Sequence, residues 1–188
     1  MPHSLVRVLV LAAMLCGVTC GVVSAANSAG LWIDVPFVAQ TGDGCGPASI
    51  AMVMQYWQQH LGQPATPAAS YAAIDRVLYS PKAHGIYASA MQRYFAQNGY
   101  RAFAFTGDDA ALSQHLGKGR PLIAALKPGA GLPLHYVVVV GLDPARKTVL
   151  VNDPAQRKLI EQDAATFERD WAAAGHWTLL AVPEANAR

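Results

Sequence analysis

Apolar and polar positions alternate with two different periods along the chain, and the change of period divides it. From residue 45 to 62, Ile50, Met54, Trp57 and Leu61 recur at helical spacing while Gln55, Gln58 and Gln59 gather on another side. Pro47 suits the first turn of such a helix, and Gly62 can end it. Residues 68–80 and 84–100 read as further helices, the second stopped at Asn98-Gly99. Residues 101–106 alternate as a strand, and 108–119 form a short helix with acids at its start. Three strand candidates follow at 120–127, 134–143 and 147–153, then a helix at 163–175 and a strand at 176–183. Upstream, "LWIDVPFV" at 31–38 reads as a short edge strand broken by Pro36, and "AQTGDGCG" as a turn-rich loop. Helices come first and strands dominate later, which predicts an α+β domain with an antiparallel sheet.

The first residues follow neither period. Arg7 precedes an apolar run from Val8 to Val23, and small residues follow at Ser24, Ala25 and Ala26. A positive start, an apolar middle and a small-residue exit are the parts of a secretory signal. The run is shorter than the roughly 20 residues that a spanning helix needs. Residues 1–25 are therefore expected to be a signal peptide cleaved near Ala25 or Ala26, or else an N-terminal anchor. Residues 26–188 would form one exported domain, periplasmic or secreted, touching a membrane only through an uncleaved N-terminus.

Composition agrees with a packed globule: 53% of residues are hydrophobic and 14% charged. The formal net charge is only +2 and no basic stripe occurs, so a nucleic-acid partner is not expected.

Export makes the cysteines informative. Of Cys16, Cys20 and Cys45, the first two lie in the leader, and a mature chain keeps Cys45 alone. An intermolecular bridge, an inert core thiol and a reactive nucleophile are the remaining explanations. The neighbours favour the nucleophile. Cys45 stands at the predicted helix start, where free N–H groups and the helix dipole stabilise a thiolate. Gly44 and Gly46 flank it, leaving the sulfur unscreened and open to a substrate backbone.

A thiol nucleophile needs a base, and His60, His84, His115, His135 and His176 lie outside the leader. His60 and His115 read as solvated surface, His84 as a loop residue and His176 as half-buried packing. His135 heads the most apolar strand, "HYVVVVG", and a rigid strand end is where a catalytic imidazole is best held. Asp153, at the tip of the next strand in "VNDP", can orient it. Asp143 lies at the other end of the His135 strand, roughly 25 Å away in extended chain. Asn152 should point to the opposite face from Asp153. Gln40, five positions before the cysteine, can offer an amide to a developing oxyanion, with the backbone N–H of Cys45 as second donor.

Taken together, "VPFVAQTGDGCGPASIAMVMQYW", "HYVVVVGLD" and "VNDP" with the following "FERDW" resemble the papain-like cysteine peptidases. More narrowly they look like the bacteriocin-processing, double-glycine-leader peptidases and their free-standing exported relatives, over about Ile33 to Val182. The resemblance implies a two-lobe papain-like fold, with the nucleophile helix of an N-terminal helical lobe packed on an antiparallel sheet. It implies Cys45 as nucleophile, His135 as base, Asp153 as orienter and Gln40 as oxyanion donor. The substrate would be an extended peptide or protein, and no cofactor or metal is implied. Many relatives carry an acidic residue directly before the cysteine, where this chain has Gly44. A peptidoglycan-stem amidopeptidase would use the same Cys-then-His logic, and a non-enzymatic exported binding domain is a different class; both stay open on sequence. A metal site lacks paired ligand spacing, and a serine hydrolase lacks a G-x-S-x-G.

Overall fold

In a computed structural model, residues 30–185 are described; the expected leader and its cleavage point lie outside them. Five α-helices and seven strands follow in chain order. The strands are β1 (Leu31–Trp32), β2 (Tyr100–Thr106), β3 (Leu122–Leu126), β4 (His135–Asp143), β5 (Thr148–Asn152), β6 (Ile160–Asp163) and β7 (Trp177–Pro183). They form one antiparallel sheet in the order β2-β7-β3-β4-β5-β6, with β1 pairing the far half of β4. The α+β expectation holds.

The helices are α1 (Cys45–His60), α2 (Tyr71–Leu78), α3 (Ala88–Gln97), α4 (Asp109–Leu116) and α5 (Ala164–Ala172). They cover both faces of the sheet, which explains the valine run. Val138 and Val140 pack with Ile50, Met54 and Tyr94 on the face of α1 and α3. Val137 and Val139 pack with Leu112, Phe167 and Trp171 on the face of α4 and α5. A strand buried on both sides needs apolar residues at every position, not every second one. That burial, worth about 1.5–3 kcal/mol for each large side chain, makes β4 a rigid carrier for whatever stands at its head.

Helix α1 departs from the amphipathic expectation. It is buried on all sides from Gly46 to Met54 because β4, α2 and α3 enclose it. Gln58, read as part of a polar side, is only 5% exposed and donates through Nε2 to Thr66 Oγ1 at 2.9 Å. Leu61, read as part of the apolar side, lies beyond the helix and is 47% exposed. Helical spacing counts residues, whereas enclosure is decided by neighbours far away in sequence. The Trp57 indole donates to Ala181 O at 2.9 Å and the Tyr56 hydroxyl to Gly119 O at 2.6 Å, fastening α1 to distant parts of the domain. Each such bond contributes about 1 kcal/mol net.

Other boundaries moved for local reasons. Helix α3 starts at Ala88, later than the pattern suggested, because His84 (φ 46°) and Gly85 (φ 147°) adopt left-handed backbone in a preceding turn. The strand expected over 31–38 keeps only two ladder residues, and the chain beyond it is held by single bonds such as Ile33 N to Val140 O at 2.9 Å. Strand β6 has no counterpart in the sequence reading. Its four residues, Ile-Glu-Gln-Asp, pair with β5 at the sheet edge and carry little β-forming character of their own.

Candidate active site

Cys45 is the first residue of α1, half-buried, with its thiol free. No side chain caps the helix, and the first intrahelical bond runs from Ala48 N to Gly44 O. The N–H groups of the opening turn are thus available beside the sulfur, and the positive end of the helix favours an anion there. The flanking glycines do not leave open space, contrary to the sequence reading. A Cβ at Gly46 would stand 2.4 Å from Ile86 Cγ1, and one at Gly44 would stand 2.0 Å from the Tyr71 hydroxyl. Protein side chains already fill both places, so the glycines serve internal packing.

His135 heads β4 as expected, with its side chain 23% exposed. Its Nε2 stands 2.7 Å from Asp153 Oδ1. A carboxylate only accepts, so Nε2 carries the proton and Nδ1 is left free, with Cys45 as a neighbour of the ring. Burial alone would lower the imidazole pKa. The hydrogen bond to Asp153 and the neighbouring Cys45 thiol, and then the charges of both, outweigh it and push the value up to about 9.

Asp153 follows the last residue of β5, at the strand tip. Its side chain is 9% exposed, and burial by itself would raise its pKa. The His135 contact, the Ala155 N–H on Oδ1 (2.9 Å) and the Gln156 amide on Oδ2 (2.6 Å) reverse that and hold it below the usual range. Asn152 points away, as alternation predicts: its Nδ2 donates to Val35 O at 3.1 Å and its Oδ1 accepts from Leu159 N at 2.9 Å. Asp143, at the far end of β4, accepts from Arg146 N at 3.0 Å in a turn and takes no part.

Gln40 is tied to the same region through its backbone. Its N–H donates to Pro154 O at 2.9 Å, directly after Asp153. Its side chain is turned along its own loop, with Nε2 donating to Gly42 O at 2.6 Å and Oε1 buried without a partner. One amide hydrogen is engaged there and the other is uncommitted.

A thiol at a helix start beside an imidazole that is bonded to a carboxylate can perform nucleophilic acyl transfer. The sequence profile described as the Peptidase C39-like family matches residues 32–178, which is most of the chain. The chain belongs to the Peptidase C39-like family. It is a cysteine-type peptidase.

Solved structures share the fold of this C39-like peptidase. The peptidase domain of Streptococcus ComA, a bifunctional ABC transporter of a quorum-sensing pathway, superposes with a TM-score of 0.62 at 22% identity, over 80% of this chain and all (100%) of that one. A double-glycine-motif protease from an AMS/PCAT transporter, in complex with the leader peptide, gives 0.62 at 20% identity, over 81% of this chain and 94% of its own. A C39-like peptidase from Bacillus anthracis gives 0.61 at 16% identity, over 83% and 98%. No curated protein sequence matches.

The four other histidines of the C39-like domain share no hydrogen bond with Cys45 or Asp153. His60 stacks on Tyr56, His84 is an exposed loop residue 3.9 Å from Asp43, and His176 meets Glu168 at 2.8 Å. His115 is half-buried, not solvated; burial and then Arg120 and Lys118 lower its pKa. Sequence reasoning missed Gln156 on Asp153, Tyr71 and Ile86 behind the glycines, and Tyr136. Burial and then the charge on Cys45 push the Tyr136 phenol up to about 12, so it stays neutral. Only its position next to His135 pointed to it. A cleft of about 510 Å³ adjoins His135 and Asp153 on the α5 side of the sheet, floored by Leu126, Val151 and Ile160.

Proposed function

We propose that this chain is an exported thiol peptidase that hydrolyses peptide bonds through Cys45, His135 and Asp153, with Gln40 assisting. The observation that carries the reading is the His135 imidazole at the head of β4, bonded to the Asp153 carboxylate at 2.7 Å and neighbouring the thiol at the start of α1. In the resting site His135 takes the thiol proton, giving a thiolate–imidazolium pair. The sulfur attacks the substrate carbonyl carbon, and the carbonyl oxygen takes the negative charge. The Cys45 backbone N–H and the uncommitted N–H of Gln40 stabilise that oxyanion. His135 Nδ1–H then protonates the departing amine, leaving a thioester. Water, deprotonated by the same imidazole, releases the acid and regenerates the thiol. Asp153 keeps the ring in one tautomer and one orientation throughout.

The substrate is an extended peptide, and the similar double-glycine-motif protease solved with a leader peptide supports that class. Export rests on the leader pattern of residues 1–25. The test is digestion of a peptide library that includes peptidoglycan stem peptides, read by mass spectrometry. Cys45→Ala and His135→Ala abolish cleavage while far-UV circular dichroism stays unchanged. An active Cys45→Ala variant sinks the reading, and cleavage confined to stem peptides moves it to an amidopeptidase.

A further inference from the structure

We propose that the Tyr71 hydroxyl is a positioning group for the loop that carries Gln40 into the site. The proposal rests on the thiol-peptidase reading above and deepens it. Tyr71 opens α2, thirty residues beyond Thr41, yet its phenol oxygen accepts from Thr41 N at 3.0 Å and donates to Thr41 O at 2.9 Å. One hydroxyl therefore holds both polar groups of a single backbone residue, the one next to Gln40.

The rest of the loop closes around that bond. Gly44 N donates to Thr41 O at 3.2 Å, making a tight turn that ends at the nucleophile. On the other side, Gln40 N is bonded to Pro154 O at 2.9 Å. Thr41 thus has its carbonyl fixed to Gly44 and Tyr71, and Gln40 has its amide fixed to the strand tip of Asp153. Tyr71 itself is anchored, because the next turn of α2 inserts Ile74, fully buried, into the core that also holds α1. The hydroxyl links the Gln40 loop to the helix bearing Cys45 by a route independent of the chain between them.

Gly44 is part of the same contact. A Cβ there would stand 2.0 Å from the Tyr71 oxygen and 2.9 Å from its Cζ. Any side chain at 44 would push the phenol off Thr41. The glycine before the nucleophile and the tyrosine of α2 are one device, and neither works without the other. Oxyanion donors act over tenths of an ångström, and a displacement near 1 Å can cost on the order of 100-fold in rate.

The experiment compares two reactions of Cys45 in the mature chain. Acylation by p-nitrophenyl acetate passes through an oxyanion; alkylation by iodoacetamide does not. In Tyr71→Phe the acylation rate falls about tenfold while alkylation changes less than about twofold. Gly44→Ala lowers the same ratio, and the double variant loses no more than the worse single one, as expected of one shared contact. A wild-type ratio in both single variants overturns the proposal. Equal loss of both reactions with a lowered melting temperature also overturns it, because that reports a general structural role. Cys45→Ala is the control: if it still forms an acyl-enzyme, the peptidase reading itself fails, whatever Tyr71 does.

Discussion

Strand β4 ends in two different ways, and its ends show how differently two carboxylates can be held. At the head, Asp153 meets His135 with two further donors, Ala155 N and Gln156 Nε2, in a nearly dry setting. At the tail, Asp143 closes a turn through one bond to Arg146 N. Both aspartates precede a proline near a strand end, in "NDP" and "LDP", so their immediate sequence barely separates them. The difference lies in how many donors are aimed at each, and burial makes those donors count. Asp153 is kept ionised where water is scarce, so its charge acts on the imidazole at close range.

The largest effect expected from this contrast is on catalysis. Asp153→Ala lowers kcat/KM by about 10³-fold or more, and Asp143→Ala leaves it within about twofold. Steady-state kinetics on one cleaved peptide decides it, and equal losses at both positions would falsify the assignment of Asp153.

Next comes pH. His135 sits at about 9, above its ordinary 6.5, so the imidazolium persists through neutral pH and is lost as pH rises through about 9. The alkaline limb of kcat/KM should fall near there. Asp153→Asn removes a charge that raises the imidazole and keeps the burial that lowers it, so the limb moves toward neutral pH. Stability follows the same sign. The contribution of this raised group is fully present below about 6.5 and disappears as pH passes through about 9. A limb that stays in place in Asp153→Asn would break the link between the two groups.

A smaller effect is expected at Gln156, whose amide bonds Asp153 Oδ2 at 2.6 Å from an exposed position. Gln156→Ala lowers kcat by about threefold, since solvent can replace part of that bond. Rescue by Gln156→Asn is not expected, because the shorter side chain falls short of the carboxylate. The smallest effect is on the folding of the far end: Asp143→Ala loses a turn hydrogen bond, about 1 kcal/mol or less in urea unfolding, with activity unchanged.

Much of this candidate site could be read in the chain because its parts advertise themselves locally. A cysteine before Gly46-Pro47 at the start of an apolar helix, and a histidine heading four valines, are recognisable within a short window. The exclusion of Asp143 needed only the length of a strand. Strand β6 was invisible because an edge strand of four residues is held mainly by its partner β5. The sidedness of α1 was misread because Gln58 is buried by its bond to Thr66, and no periodicity announces that.

The glycines mark the boundary most sharply. Sequence alone established that residues 44 and 46 lack side chains beside a helix-start thiol, and that an antiparallel sheet would carry the histidine at a strand head. Those features depend on backbone sterics and on hydrophobic period, both of which act between near neighbours. Tertiary structure decided why the glycines are there. Ile86 and Tyr71, from segments twenty-six or more residues away, occupy the space a Cβ would need. It also decided that Gln156 holds Asp153 and that Gln40 is stitched to Pro154, across 114 positions of chain. Close packing has no period, so which residue fills a given gap emerges only when distant segments are brought together.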